Sequence, residues 1–262
     1  MAAYPLTVPG LSTPLKLVVH ESGDTQVSQQ ISEHGKWEPY ETQLVMERLT
    51  ANSTFLDMGA NIGYYTAIAA SIIGTEGSIY AFEPDPANFQ LLQRNLAINN
   101  LRHVNAVEAA VSDKDSEGVL YLNEGNFGDH QIYDNGEGRA SRSIRLINPS
   151  NYLQDKVSRI DLVKIDTQGA EYQILNGLMP LLRKQAAMPS LIIEFWPYGL
   201  RKAGASADAL LDLLLELEQP IFTIFHDEYE VIETNETQLR DWIKMVDANP
   251  EDMGFVNLLV GR

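Results

Sequence analysis

The sequence contains no cysteine. That excludes disulfides, thiolate metal sites and cysteine nucleophiles, and it fits a cytoplasmic protein. No apolar run is long enough to cross a bilayer. The first residues, MAAYPLTVPG, lack a basic head followed by an apolar stretch, so they do not read as a secretion signal. Cations are scarce: 19 Lys and Arg stand against 36 Asp and Glu, for a net charge of −17. So acidic a surface repels phosphate backbones, which makes nucleic acid a poor partner. Neither an internal repeat nor a low-complexity tract is present.

What is present suits one large α/β domain, or a domain with a small appendage, in 262 residues. Apolar residues make up 44% of the chain, enough to build a core. Strand-like and helix-like segments alternate. STFLDMG is apolar and β-prone, and residues 62–73 carry a helical apolar stripe that GTEG ends. SIYAFEP at 78–84 reads as a strand. The next helix has Asp85 as N-cap and Pro86 at its first position. Residues 103–112 read as a third strand, GVLYLNE as an extra one and RIDLVKID as a buried one. SLIIEFW, PIFTIFHD and GFVNLLVGR complete the strands, with helices between them. Such alternation implies a mostly parallel sheet covered on both faces. Residues 1–45 fit the scheme poorly and are expected to form a small N-terminal cap, with the main domain over 46–262. Residues 123–151 are polar and glycine-rich, and are expected to be a substrate-loop insertion.

Four places carry chemistry. The first is DMGANIG, where a strand ends in Asp57 and Gly59 and Gly63 bracket Asn61. Glycines after such a strand let the chain turn sharply and let a ligand approach the backbone. A dinucleotide site would want a middle glycine in place of Asn61, and Asp57 would repel a pyrophosphate. The second is Glu83, closing the next strand, where a carboxylate accepts both hydroxyls of a ribose. An adenosine without phosphates satisfies both features, which points to S-adenosylmethionine. The third is DLVKIDTQGAEYQIL, in which Asp166 ends a strand facing the ligand cleft and Glu171 opens a helix. The fourth is Glu194, an acid within an apolar strand, which burial would turn into a proton acceptor. Trp196 and Tyr198 follow it as an aromatic wall. His130, in the glycine-rich loop, is a competing general base. Asp129, Asp166 and Glu194 could together hold a divalent cation, although their spacing does not enforce a metal site. Arg139, Arg142 and Arg145 read either as a solvated strand or as a cationic lip over an anionic ligand.

Taken together, FLDMGANIGYYT, AFEPDPANFQLLQRNLAINN, AAVSD, NFGDH, LVKIDTQGAEYQIL and LIIEF resemble the FkbM family of S-adenosylmethionine-dependent methyltransferases. The resemblance implies a Rossmann-like class I fold, with a seven-stranded sheet of order 3-2-1-4-5-7-6 and an antiparallel last strand. It implies a donor loop of Asp57, Gly59, Asn61 and Gly63, with Glu83 on the ribose and Glu108, Ala109 and Ala110 near the adenine. Asp166 would serve both donor and reaction, with Glu171 and Glu194 on the reaction side. Gln168 stands where many members carry Glu. O-methylation of a hydroxyl on a sugar, glycan or secondary metabolite is the implied reaction. The alternatives are N-methylation of a small molecule or peptide, a nicotinamide-dependent oxidoreductase and a non-catalytic binding module. The acceptor is expected to be a small molecule or glycan. The oligomeric state is left open, with a homodimer among the options.

Overall fold

A computed structural model gives the fold and describes residues 2–261. The chain opens with an antiparallel pair, β1 (Ala3–Pro5) and β2 (Lys16–Val18), followed by α1 (Val27–His34) and α2 (Pro39–Glu47). The alternating part begins with β3 (Thr54–Met58), α3 (Tyr64–Ile73), β4 (Ser78–Phe82), α4 (Pro86–Ile98) and β5 (Val104–Val107). A second sheet then forms from β6 (Ala110–Val111), β7 (Ser116–Tyr121) and β8 (Ser141–Ile147). After α5 (Pro149–Leu153) the main pattern resumes with β9 (Leu162–Ile165), α6 (Glu171–Leu182), β10 (Ser190–Phe195), α7 (Pro197–Lys202) and α8 (Ala207–Leu215). It ends with β11 (Ile221–Phe225), β12 (Glu230–Glu233), α9 (Glu236–Asp247) and β13 (Val256–Val260).

Among the described residues the central sheet runs β12-β11-β13-β10-β9-β3-β4-β5. Seven of these strands lie in the expected order 3-2-1-4-5-7-6, and β13 enters antiparallel between β10 and β11. The count is a correction: β12 folds back on β11 as an eighth, edge strand. Its sequence, EVIE, is too short and too polar to announce itself. All residues of β3 and β9 are buried, as expected of parallel strands with helices on both faces. The helix starts follow local chemistry. The Asp85 carboxylate accepts from Ala87 N and Asn88 N at 3.0 Å, and Pro86 takes the first helical position, where no N–H is needed.

Three further expectations change. The third strand stops at Val107, and β6 belongs to the second sheet. The 123–151 segment is not a loop throughout, because β8 and α5 occupy its second half. The 45/46 boundary cuts through α2, so it does not separate two units. Leu15, Leu17, Ile31 and Leu44 of the N-terminal segment pack into one apolar cluster with Phe55, Ile68 and Leu92. The Asn95 side chain on α4 ties the segments together. It accepts from Val18 N at 2.7 Å and donates to Val18 O and Ile62 O, each at 2.9 Å.

Candidate active site

One level of the sheet carries the site. Met58 is registered with Phe82 and with Ile165, and Ile165 with Ile193. The residue that follows each is therefore set in a row: Gly59, Glu83, Asp166 and Glu194. Asn257 of β13, registered with Glu194, extends the row.

The β3–α3 turn needs glycine. Gly59 has φ +97°, and a Cβ there would lie 2.1 Å from the Asp166 carbonyl oxygen. Gly59 N and Ala60 N both donate to Phe82 O. Asn61 takes a left-handed φ of 50°, and its N–H donates to Glu83 Oε2 at 2.8 Å. Glu83 Oε1 accepts from Asp85 N at 2.9 Å. Burial pushes the Glu83 carboxyl up to about 8, against these hydrogen bonds that favour its anion. Two carboxylate-lined cavities meet at Gly59, Asn61, Gly128 and Asp166.

The smaller cavity, about 60 Å³, is walled by Phe82, Glu83, Ala110, Val111 and Ile174. Phe127 and His130 of the loop lie along it. The Phe127 carbonyl accepts from Asn88 Nδ2 at 3.1 Å and Asn61 Nδ2 at 3.4 Å, which fastens the loop over Glu83. The larger cavity, about 570 Å³, takes Trp37 and Glu38 from the N-terminal segment and Tyr65 from α3. Asp129 and Arg139 enter from the loop, Lys164, Asp166, Gln168 and Glu194 from the sheet ends, and Trp196, Tyr198, Phe255 and Asn257 from the C-terminal half.

Asp166 and Glu194 are joined by one amide. Gln168 Nε2 donates to Asp166 Oδ1 at 3.2 Å and to both Glu194 oxygens at 3.0 Å. Burial alone would raise Asp166, but the Lys164 ammonium, 2.8 Å away, together with the Gln168 hydrogen bond and His226, holds the carboxyl below its ordinary value. Burial raises Glu194 well above its ordinary value, and the Asp166 and Glu171 carboxylates add to the shift. Glu38, raised by burial to about 8, accepts from the Tyr65 hydroxyl at 2.8 Å. Glu38, Asn61 and Gln168 all have positive φ, and all three line the larger cavity. Strained backbone of this kind gathers at functional sites.

Several expected site residues sit elsewhere. The Asp57 side chain accepts from Thr66 Oγ1 at 2.5 Å and braces the turn from behind; burial raises it to about 6. Gly63 packs against Leu92 at the start of α3, where a Cβ would meet Leu92 Cδ1 at 2.4 Å. Neither residue lines either of these two cavities. Glu108 is exposed and Ala109 is buried off the cavity wall, which leaves Ala110 as the contact. The Glu171 carboxylate lines neither cavity. It accepts from Thr167 N, Thr167 Oγ1 and Gly169 N at 3.0–3.1 Å, clamping the β9–α6 turn. Burial holds it at about 7. His130 lies on the smaller cavity, away from Glu194. Its Nδ1 accepts from Asn123 N at 3.1 Å, and burial lowers its basicity. Asp129 is tied to Asn123, Gln131 and Arg139, and no group of three or more acids or histidines among the described residues is placed to hold a metal. The arginines diverge: Arg139 lines the larger cavity, Arg142 pairs with Asp85 at 3.2 Å and Arg145 is exposed.

The sequence reading missed Trp37, Glu38, Glu41, Lys164 and Asn257. A signal existed for Lys164, since a cation within the apolar run LVKI demands a buried partner. Nothing local marks the others.

Over 147 residues, 48% of this chain and 59% of its counterpart, the sequence is 26% identical to Methyltransferase 1 of Beauveria bassiana. Over 187 residues, 58% of this chain and 70% of the other, it is 28% identical to Methyltransferase sdnD of Sordaria araneosa. A third relative, Hexuronic acid methyltransferase AglP of Haloferax volcanii, is 24% identical over 145 residues, 54% of this chain and 56% of that protein. The match thus spans less than two thirds of the Beauveria and Haloferax proteins. The Methyltransferase FkbM domain matches residues 57–219, more than half of the chain, which therefore belongs to the FkbM methyltransferase family.

Proposed function

We propose that the protein is an S-adenosylmethionine-dependent methyltransferase acting on a hydroxyl of a sugar, glycan or secondary metabolite. One observation carries the reading. The buried Glu83 carboxylate and the glycine turn share a cavity that meets the Asp166–Glu194 pair. The donor's adenosine would lie along these residues. Glu83 would accept its ribose hydroxyls, Phe82, Ala110, Val111 and Ile174 would cover its adenine, and Gly59 gives the backbone room. When bound, S-adenosylmethionine supplies a methyl group activated by a sulfonium.

The protein's own residues do the rest. Asp166 offers an anion at the reaction end. Glu194 holds its proton in the free protein. Beside the positive charge of a bound donor it would favour its ionised form and release that proton to solvent, after which it takes the proton of the acceptor hydroxyl. Two carboxyls with basicities pushed apart by their surroundings suit such a division of labour. Trp37, Trp196 and Tyr198, which line the larger cavity, would orient an acceptor. The relative from Haloferax volcanii, described as a hexuronic acid methyltransferase, favours a sugar among the acceptors.

Calorimetric titration with S-adenosylmethionine, S-adenosylhomocysteine and NAD tests the donor. The two sulfur nucleosides should bind and NAD should not. Glu83→Ala should weaken their binding about 10- to 100-fold, or about 1.4–2.7 kcal/mol. Unchanged affinity in that variant would sink the ribose assignment, and binding of NAD alone would sink the reading.

A further inference from the structure

The larger cavity contains a cation that the roles above do not use. Lys164 is 4% exposed on a strand whose other residues are fully buried apolar ones. Its Nζ lies 2.8 Å from Asp166 Oδ2, 3.2 Å from Glu41 Oε1 and 4.6 Å from the Tyr65 ring centre. Glu41, on α2, is itself fully buried, and its other oxygen accepts from Asn257 Nδ2 at 2.7 Å. A buried ammonium is therefore clamped between the N-terminal helix and the ends of the sheet. It pairs with Asp166, and no Lys164–Glu194 pair within 4.0 Å occurs among the described residues. Gln168 donates from one nitrogen to Asp166 at 3.2 Å and to both Glu194 oxygens at 3.0 Å, so its bonds lean toward the Glu194 anion. Lys164 acts in the opposite sense, on Asp166 alone.

We propose that Lys164 is the positioning residue of the reaction end: it fixes the negative charge of the carboxyl pair on Asp166, leaves the proton on Glu194, and is held there by Glu41. The catalytic duties of the two carboxyls rest on the function proposed above, whereas this charge assignment does not. Two carboxyls this close do not ionise equally, and the one nearer a cation ionises first. The other charged and titratable groups around the Lys164–Asp166 pair are Glu38 just before α2, Glu41 on α2, Asp57 on β3, Tyr65 on α3, Glu194 on β10 and His226 after β11. Most of these are acids, and acids raise Asp166. Lys164 is the strongest influence in the other direction. The depressed Asp166 and raised Glu194 agree with this assignment. The consequence reaches beyond the family domain, because Glu41 and Asn257 lie outside residues 57–219.

Carboxyl-carbon NMR titration of the intact chain tests this without any donor, so its failure is separable from failure of the donor reading. Asp166→Asn and Glu194→Gln assign the two signals. In the native protein Asp166 should titrate first, and Glu194 should titrate lower once Asp166→Asn removes its neighbour's charge. The reverse order in the native protein would overturn the proposal. In Lys164→Met/Glu41→Gln, which removes both charges together and so orphans neither, Asp166 should titrate about one unit or more higher. Lys164→Arg, which keeps the charge, should leave Asp166 low. An Asp166 midpoint in the double variant within about 0.3 unit of the native one would overturn the role of Lys164.

Discussion

The two cavities differ in where their walls come from. The smaller one is lined by residues between Gly59 and Ile174, all inside the matched family domain. The larger one gathers residues from Gln26 to Asn257, and Trp37, Glu38, Phe255 and Asn257 lie outside that domain. The first is made by strand ends and the turns that follow them. The second exists because a helix before the sheet and the antiparallel strand that ends it meet over one row of residues. The part of the site assigned to the donor thus belongs to the common domain. The part proposed for the acceptor is shared between that domain and residues on either side of it.

Lys164→Met breaks the second region most severely. It leaves Glu41 buried without its cation, and truncating one partner of a buried pair costs about 3–5 kcal/mol. Urea unfolding should record that loss. A change below about 1 kcal/mol would mean that the clamp between α2 and the sheet is slack.

Stability against pH separates the regions next. Glu83 and Glu38 are raised to about 8, Glu171 to about 7 and Asp57 to about 6. For each, the native state holds its proton more tightly than the unfolded chain. The stability they contribute is complete below about pH 4 and is lost as pH rises through the native values. Asp166, shifted the other way, acts below this window. Without ligand, the melting temperature should fall between about pH 5 and about pH 8. Glu83→Gln should flatten the upper part of that fall, and a curve of unchanged slope in this variant would show that Glu83 ionises freely.

A smaller effect sharpens the contrast. Once an acceptor is in hand, Trp37→Ala should raise its KM about 3- to 30-fold while the donor Kd stays within about twofold. Glu83→Ala should do the reverse. Equal shifts in both constants from either variant would merge the two regions into one.

Legibility follows the same division. Gly59, Asn61 and Glu83 stand in order after two strands, and local spacing was enough to predict that they share one turn region, which lines the smaller cavity. Asp166 and Glu194 each lie at or near the carboxyl end of an apolar strand, and both line the larger cavity. Glu171 has the same sequence credentials, but its carboxylate turns back onto the amides of Thr167 and Gly169. His130 has suitable chemistry but faces the other cavity. Asp57 adjoins the turn, yet strand alternation and the Thr66 hydroxyl hold it behind the turn. Residue type and spacing do not encode which way a side chain turns at a strand end.

Alone, the sequence determined the alternating architecture, the glycine turn and the carboxylate at the end of the second core strand. These rest on periodicity, backbone freedom and neighbours close along the chain. Tertiary structure decided that Lys164 lies between Glu41 and Asp166, and that Trp37 and Asn257 share a wall. Those contacts join positions as far apart as 41 and 257, and only packing of α2 and β13 against the same sheet end brings them within hydrogen-bond reach.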